Sequence, residues 1–124
     1  LHTGNVNGVV VDMLMTMNKC LAMGMSLPEV IARSTVAPAR EIGHPELGTL
    51  SPGAEADIAV FAREAGEFAF VDCGRATLAA RERLACRLTL RAGQIVYNPA
   101  GIGLPAWEQA PPAYWVVPNL QRLA

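Results

Sequence analysis

The side chains that could do chemistry in this chain are few and widely spaced. There are two histidines, His2 and His44, and three cysteines, Cys20, Cys73 and Cys86. Nucleophilic catalysis needs a base beside a serine, threonine or cysteine, with a third group orienting that base. No such set can be assembled from two histidines so far apart in sequence. A metal centre needs several His, Cys, Asp or Glu ligands converging on one ion. His44-Pro45-Glu46 offers two neighbours across a proline, a geometry suited to a surface turn, and no C-x-x-C pair occurs. Asp57 stands alone in an apolar run. A carboxylate at a strand entrance can accept hydrogen bonds from the backbone of the glycine turn before it, so a structural role is expected. Asn5 and Asn7, flanked by Gly4 and Gly8, read as caps and turn residues. Arg81, Arg83, Arg87 and Arg91 read as solvated faces, and the cysteines as small buried hydrophobes. Neither a P-loop nor a G-x-G-x-x-G is present.

Composition narrows the class further. At 124 residues, about half of them apolar, one compact core is attainable without disulfides. Ten basic against eleven acidic side chains leave no electrostatic footprint for nucleic acid, and aromatic residues are too sparse for base stacking. No apolar run reaches the ~18–20 residues a membrane helix needs. The opening residues lack the pattern of a signal peptide, and the odd, scattered cysteines suit a reducing compartment, so a cytoplasmic location is expected.

The elements that must position these residues change character along the chain. Residues 1–8 are loop chemistry. Over 9–23 apolar residues recur at helical spacing (Val10, Met13, Leu14, Met17, Cys20, Leu21), with Asp12 early, Lys19 late and Gly24 as the stop. Ser26-Leu27-Pro28-Glu29 is a capping box with proline in the first turn, opening a helix to about Ser34 with Val30 and Ile31 inward. A short helix restarts at Pro38 and halts at Gly43. After the turn bounded by Gly48 and Gly53 the period becomes strand-like. Strands are expected at 57–61, 68–71, 84–91 and 94–97, the last two joined as a hairpin at Ala92-Gly93. Beyond Pro99 the chain reads as an irregular tail, with Trp107 and Trp115 as anchors. Helices first and strands second make this an α+β chain, with an antiparallel sheet.

Three motifs in this order resemble a known family. They are Thr35-Val36-Ala37-Pro38-Ala39-Arg40-Glu41-Ile42-Gly43, then Gly48-x-Leu50-x-x-Gly53-x-x-Ala56-Asp57-Ile58-Ala59-Val60, then Leu88-x-Leu90-Arg91-x-Gly93-Gln94-Ile95-Val96-Tyr97. Together they resemble the C-terminal part of the amidohydrolase superfamily, and more narrowly its dihydroorotase-like amidohydrolase/deacetylase group. Ala37 stands where that pattern usually has Asn. The opening Leu1-His2-Thr3-Gly4-Asn5 is similar to the loop after the group's last barrel strand.

The resemblance implies a parent with a (β/α)8 barrel carrying one or two divalent metals, zinc being the expected ion. These would generate a hydroxide that attacks a small-molecule amide or ester. Such a barrel needs ~250 residues. This chain would supply only the last barrel helices (1–47), a small antiparallel β domain of the composite metallo-hydrolase type (48–98) and a tail (99–124). It would hold no metal or cofactor itself. In the complete enzyme His2, Asn5 and Asn7 would lie at the catalytic mouth and touch substrate, while Gly48, Gly53, Asp57 and Gly93 would be structural. The expected partner is the missing barrel portion or a second copy of this chain. The alternative is a non-catalytic assembly module.

Overall fold

The computed structural model describes residues 12–72 and 74–111. Helix α1 (Met13–Ala22) starts where Asp12 caps it, its carboxylate accepting from the Met15 N–H at 2.7 Å. It ends at Gly24, whose φ of +96° lets its own N–H reach the Leu21 carbonyl while the Met25 N–H reaches that of Cys20. That is the Schellman pattern, and it explains a glycine at the stop.

Helix α2 (Leu27–Ser34) begins with Pro28 in its first turn, and the Glu29 carboxylate accepts from both the backbone N–H and the hydroxyl of Ser26. Those bonds hold the Glu29 carboxyl below its usual range, the Ser26 hydroxyl contributing most. Helix α3 (Val36–Glu41) starts two residues before the expected Pro38. A 3-10 turn over Pro45–Gly48 follows.

The sheet departs from the sequence reading. Three strands form instead of four, in the order β1-β2-β3 and antiparallel throughout: β1 (Ile58–Val71), β2 (Thr77–Arg91) and β3 (Gln94–Tyr97). The expected strands at 57–61 and 68–71 are one continuous strand, and the third begins at Thr77 rather than Leu84. The stretch 62–67, which is polar and contains Gly66, joins the two expected segments. Residues 62–65 continue the ladder against β2, and the charges there find cross-strand partners. Arg63 pairs with Glu82, and Glu64 accepts from Arg83 at 2.9 Å and from Arg87 at 2.7 Å. The Arg83 guanidinium also lies 4.7 Å over the Phe68 ring. Arg83 and Arg87 are therefore paired, not merely solvated. Register shifts at Val60/Phe61 and Ala65/Phe68 mark bulges that twist this long hairpin.

The core lies where α1 and α2 meet the sheet. Met17, Val30 and Leu84 are buried there, with Val30 only 2% exposed, and Leu14, Ile31 and Phe61 pack against them. In the described part of the tail, Trp107 sits in a 3-10 turn and is 62% exposed. Trp115 lies outside the described residues.

Candidate functional site: the helix–sheet cleft and its clasps

His2, Asn5 and Asn7 lie outside the described residues. His44 and Glu46 do meet, Nδ1 to Oε1 at 2.9 Å, but both side chains are well exposed at the start of a 3-10 turn. The Glu46 carboxyl is held below its usual range by its own backbone N–H first and by His44 second. This is the surface turn the sequence indicated.

A divalent metal of the kind the sequence resemblance implies needs several donor side chains around one ion. Among the described residues no three His, Cys, Asp or Glu side chains converge on one point. They do not fit such a centre.

What the described chain does build is an open cleft of about 830 Å³ between α1 and the sheet, bordered by Met13, Met17, Ile31, Phe61, Phe70 and Tyr97. Its walls are largely apolar, and Met13 and Tyr97 are at least half exposed. Each large apolar side chain moved from water to a packed interior contributes about 1.5–3 kcal/mol. An uncovered wall of this composition therefore favours a covering surface over solvent. The outer edge of β1 has no strand beside it among the described residues.

Three devices join the elements around the cleft, and only Asn18 with Leu84 lines the cleft itself. First, Asp57 accepts from the Ala92 N–H at 2.7 Å, while the Gly93 N–H reaches the Ala56 carbonyl at 3.0 Å. The expected structural role stands with a different partner: the carboxylate clasps the β2–β3 turn, 35 residues ahead, rather than the glycine turn behind it. Ala92 (φ +47°) and Gly93 (φ +75°) are both left-handed, the geometry of a two-residue hairpin turn, so Asp57 stabilises the turn's one non-glycine strained residue. Two of the three motifs are thus one physical unit.

Second, Gly48 closes the other pair. A Cβ there would lie 2.7 Å from Val36 Cα and 2.9 Å from Ala39 Cβ. The glycine lets the 3-10 turn press against α3, and Ala39, buried, is small for the same reason. Gly53, by contrast, is needed for its φ of +89° and faces open space.

Third, the sequence reading missed Asn18. It is 5% exposed, and its carboxamide exchanges two hydrogen bonds with the backbone of Leu84: Leu84 N–H to Oδ1 at 2.6 Å and Nδ2 to the Leu84 carbonyl at 3.0 Å. Its only sequence signal is a lone asparagine on the apolar side of α1, adjacent to Met17.

The comparisons with known proteins bear on what this scaffold belongs to. A family model described as the amidohydrolase family matches residues 6–97. The chain belongs to the amidohydrolase family. A deacetylase of Enterococcus faecalis (strain ATCC 700802 / V583) is 36% identical over 92 residues, 74% of this chain and 25% of that protein. The crystal structure of an adenine deaminase superposes with a TM-score of 0.69 at 34% identity, covering 77% of this chain and 26% of that one. The chain spans about a quarter of the length of these relatives. The likeness accounts for the α+β architecture, since the matched region runs from the first helix through β3. Among the described residues no helix is long and apolar enough to cross a membrane.

Proposed function

We propose that this amidohydrolase chain is the C-terminal part of a dihydroorotase-like, metal-dependent enzyme, and that it contributes scaffold rather than reacting groups. One observation carries the reading: the family match spans residues 6–97, yet the matched relatives are about four times as long. Residues 1–47 correspond to the end of the barrel, 48–98 to the small β domain and 99–124 to an outer tail. The missing barrel portion covers the apolar cleft. The parent, a cytoplasmic protein, hydrolyses a cyclic amide, an N-acyl or an acyl ester bond. Its zinc or other divalent ion is bound by residues outside this chain, and His2, Asn5 and Asn7 border its substrate.

The test is direct. The purified chain is assayed with Zn²⁺ or Mn²⁺ on N-acetyl amino acids and on dihydroorotate. A polypeptide carrying the barrel that the upstream reading frame encodes is then assayed with it. No turnover by the chain alone and metal-dependent turnover by the pair are expected. Turnover by the chain alone, far above background, refutes the reading, as does a transition metal held tightly by its own side chains.

A second reading is favoured by the open β1 edge and the uncovered cleft: a non-catalytic module that assembles with itself or with a separate barrel subunit. An uncovered edge and a wet apolar wall both promote association. Light scattering separates the cases, because a clean monomer at micromolar concentration removes self-assembly.

A further inference from the structure

We infer that Asn18 closes the free edge of β2 by standing in for the backbone of a neighbouring strand. In an antiparallel ladder a hydrogen-bonded residue gives its N–H and takes one through its C=O from the residue opposite. The Asn18 carboxamide presents that same donor and acceptor to Leu84, at 3.0 and 2.6 Å. The edge needs such a cover. β3 pairs with β2 only at Thr89, Leu90 and Arg91, so the rest of this long strand has no strand on its second side among the described residues.

Beyond Asn18, the end of α1 lies over the β1–β2 hairpin. Leu21 and Ala22 border a hollow shared by residues 67–69 of β1 and 79–82 of β2. Met23 lies beside Phe70, Thr77 and Leu78, and the Lys19 ammonium donates to the carbonyl of Val71, the last residue of β1, at 2.7 Å.

The blander account, that Asn18 simply packs α1 on the sheet, is weaker on physical grounds. Asparagine is a poor helix former, and burying its amide is unfavourable unless both ends are bonded. A leucine would serve packing better. What asparagine adds is the donor–acceptor pair, and a helix laid over an edge is one of the known ways to prevent strand-on-strand association. Extension of the sheet is thereby directed to β1.

The experiment uses the full chain with Cys20, Cys73 and Cys86 replaced by serine. Single cysteines are then introduced at exposed sites, Arg81→Cys on β2 or Ala69→Cys on β1, and interchain cross-linking is followed against concentration. With Asn18 intact, cross-linking through position 81 stays at background. In Asn18→Leu, which keeps the branched shape and loses the pair, cross-linking through position 81 rises with concentration while that through position 69 is unchanged. A helical Asn18→Leu chain with no rise at position 81 overturns the inference.

A measurement on the unmutated chain covers the case in which that variant does not fold. By ladder alternation the N–H groups of Glu82 and Ala80 point to the same edge as that of Leu84. The Leu84 amide should exchange with solvent ~10-fold more slowly than those two. Equal rates overturn the inference as well.

Discussion

Gly48→Ala is the sharpest perturbation of this scaffold, because two opposing effects can be weighed. Gly48 has no left-handed φ, so alanine meets no backbone strain there. On that count alone the substitution should stabilise the protein by about 0.4–1 kcal/mol, by narrowing the unfolded ensemble. The added Cβ, however, falls 2.7 Å from Val36 Cα, 2.9 Å from Ala39 Cβ and 3.0 Å from the Thr35 carbonyl oxygen. Carbon atoms pack best at about 3.5–4.0 Å, and two of these three neighbours are backbone atoms that cannot rotate away. Helix α3 must therefore shift, at the ~1–3 kcal/mol typical of overpacking. The clash wins, and a net loss of ~1–2 kcal/mol is expected.

In a domain of this size each kcal/mol lowers the thermal midpoint by about 4–8 °C. Urea unfolding followed by circular dichroism reads the same quantity. Two companions test the cause. Gly53→Ala faces open space but adopts φ +89°, so it should destabilise through backbone strain without disturbing α3. Ala39→Gly in the Gly48→Ala background removes one of the three close contacts and should restore only part of the loss. A Gly48→Ala protein as stable as the parent, or more so, refutes the packing argument.

Other outcomes follow from the same geometry. Asp57→Ala frees the Ala92 N–H and should lower stability by ~1 kcal/mol, with faster amide exchange at Ala92 reporting the loosened turn. Glu64→Gln leaves Arg83 and Arg87 without their carboxylate partner. Because both arginines are half exposed, the loss should stay within ~1 kcal/mol and shrink further in high salt, as denaturation at two ionic strengths would show. Acid should fray the start of α2. The Glu29 carboxyl is depressed in the folded state, so its contribution is present above the unfolded glutamate range and is lost as pH falls through the folded value. Amide exchange at Ser26 should quicken over that window, and Glu29→Gln should abolish this pH dependence.

Much of the fold was legible because its signals are local. The Asp12 and Ser26 caps, the proline in the first turn of α2, and the glycine stop after α1 each act within a few residues. So does the Ala92-Gly93 turn. The family resemblance was legible for the same reason, since its three motifs are short and ordered. The length of the β1–β2 hairpin was not, because the partners that continue β1 through this stretch, such as Glu82 for Arg63, lie about twenty positions away. The His44–Glu46 turn was read correctly, being a contact between near neighbours. The residues proposed to border substrate, His2, Asn5 and Asn7, lie outside the described part of the chain.

By itself, the amino-acid order determined where helices begin and stop, where the chain turns, and that helical periodicity gives way to strand periodicity near residue 57. These are properties of backbone preference and of hydrogen bonds spanning a turn. Tertiary structure alone decided which turn Asp57 clasps, why Gly48 must lack a side chain, and that Asn18 serves as a strand edge. The bonded partner is distant in sequence for two of them, 35 residues for Asp57 and 66 for Asn18, and the neighbours of Gly48 belong to a different helix. Periodicity carries no information about which distant backbone group will be left needing a bond. That is settled only when the helices meet the sheet and an unpaired N–H or carbonyl must be satisfied.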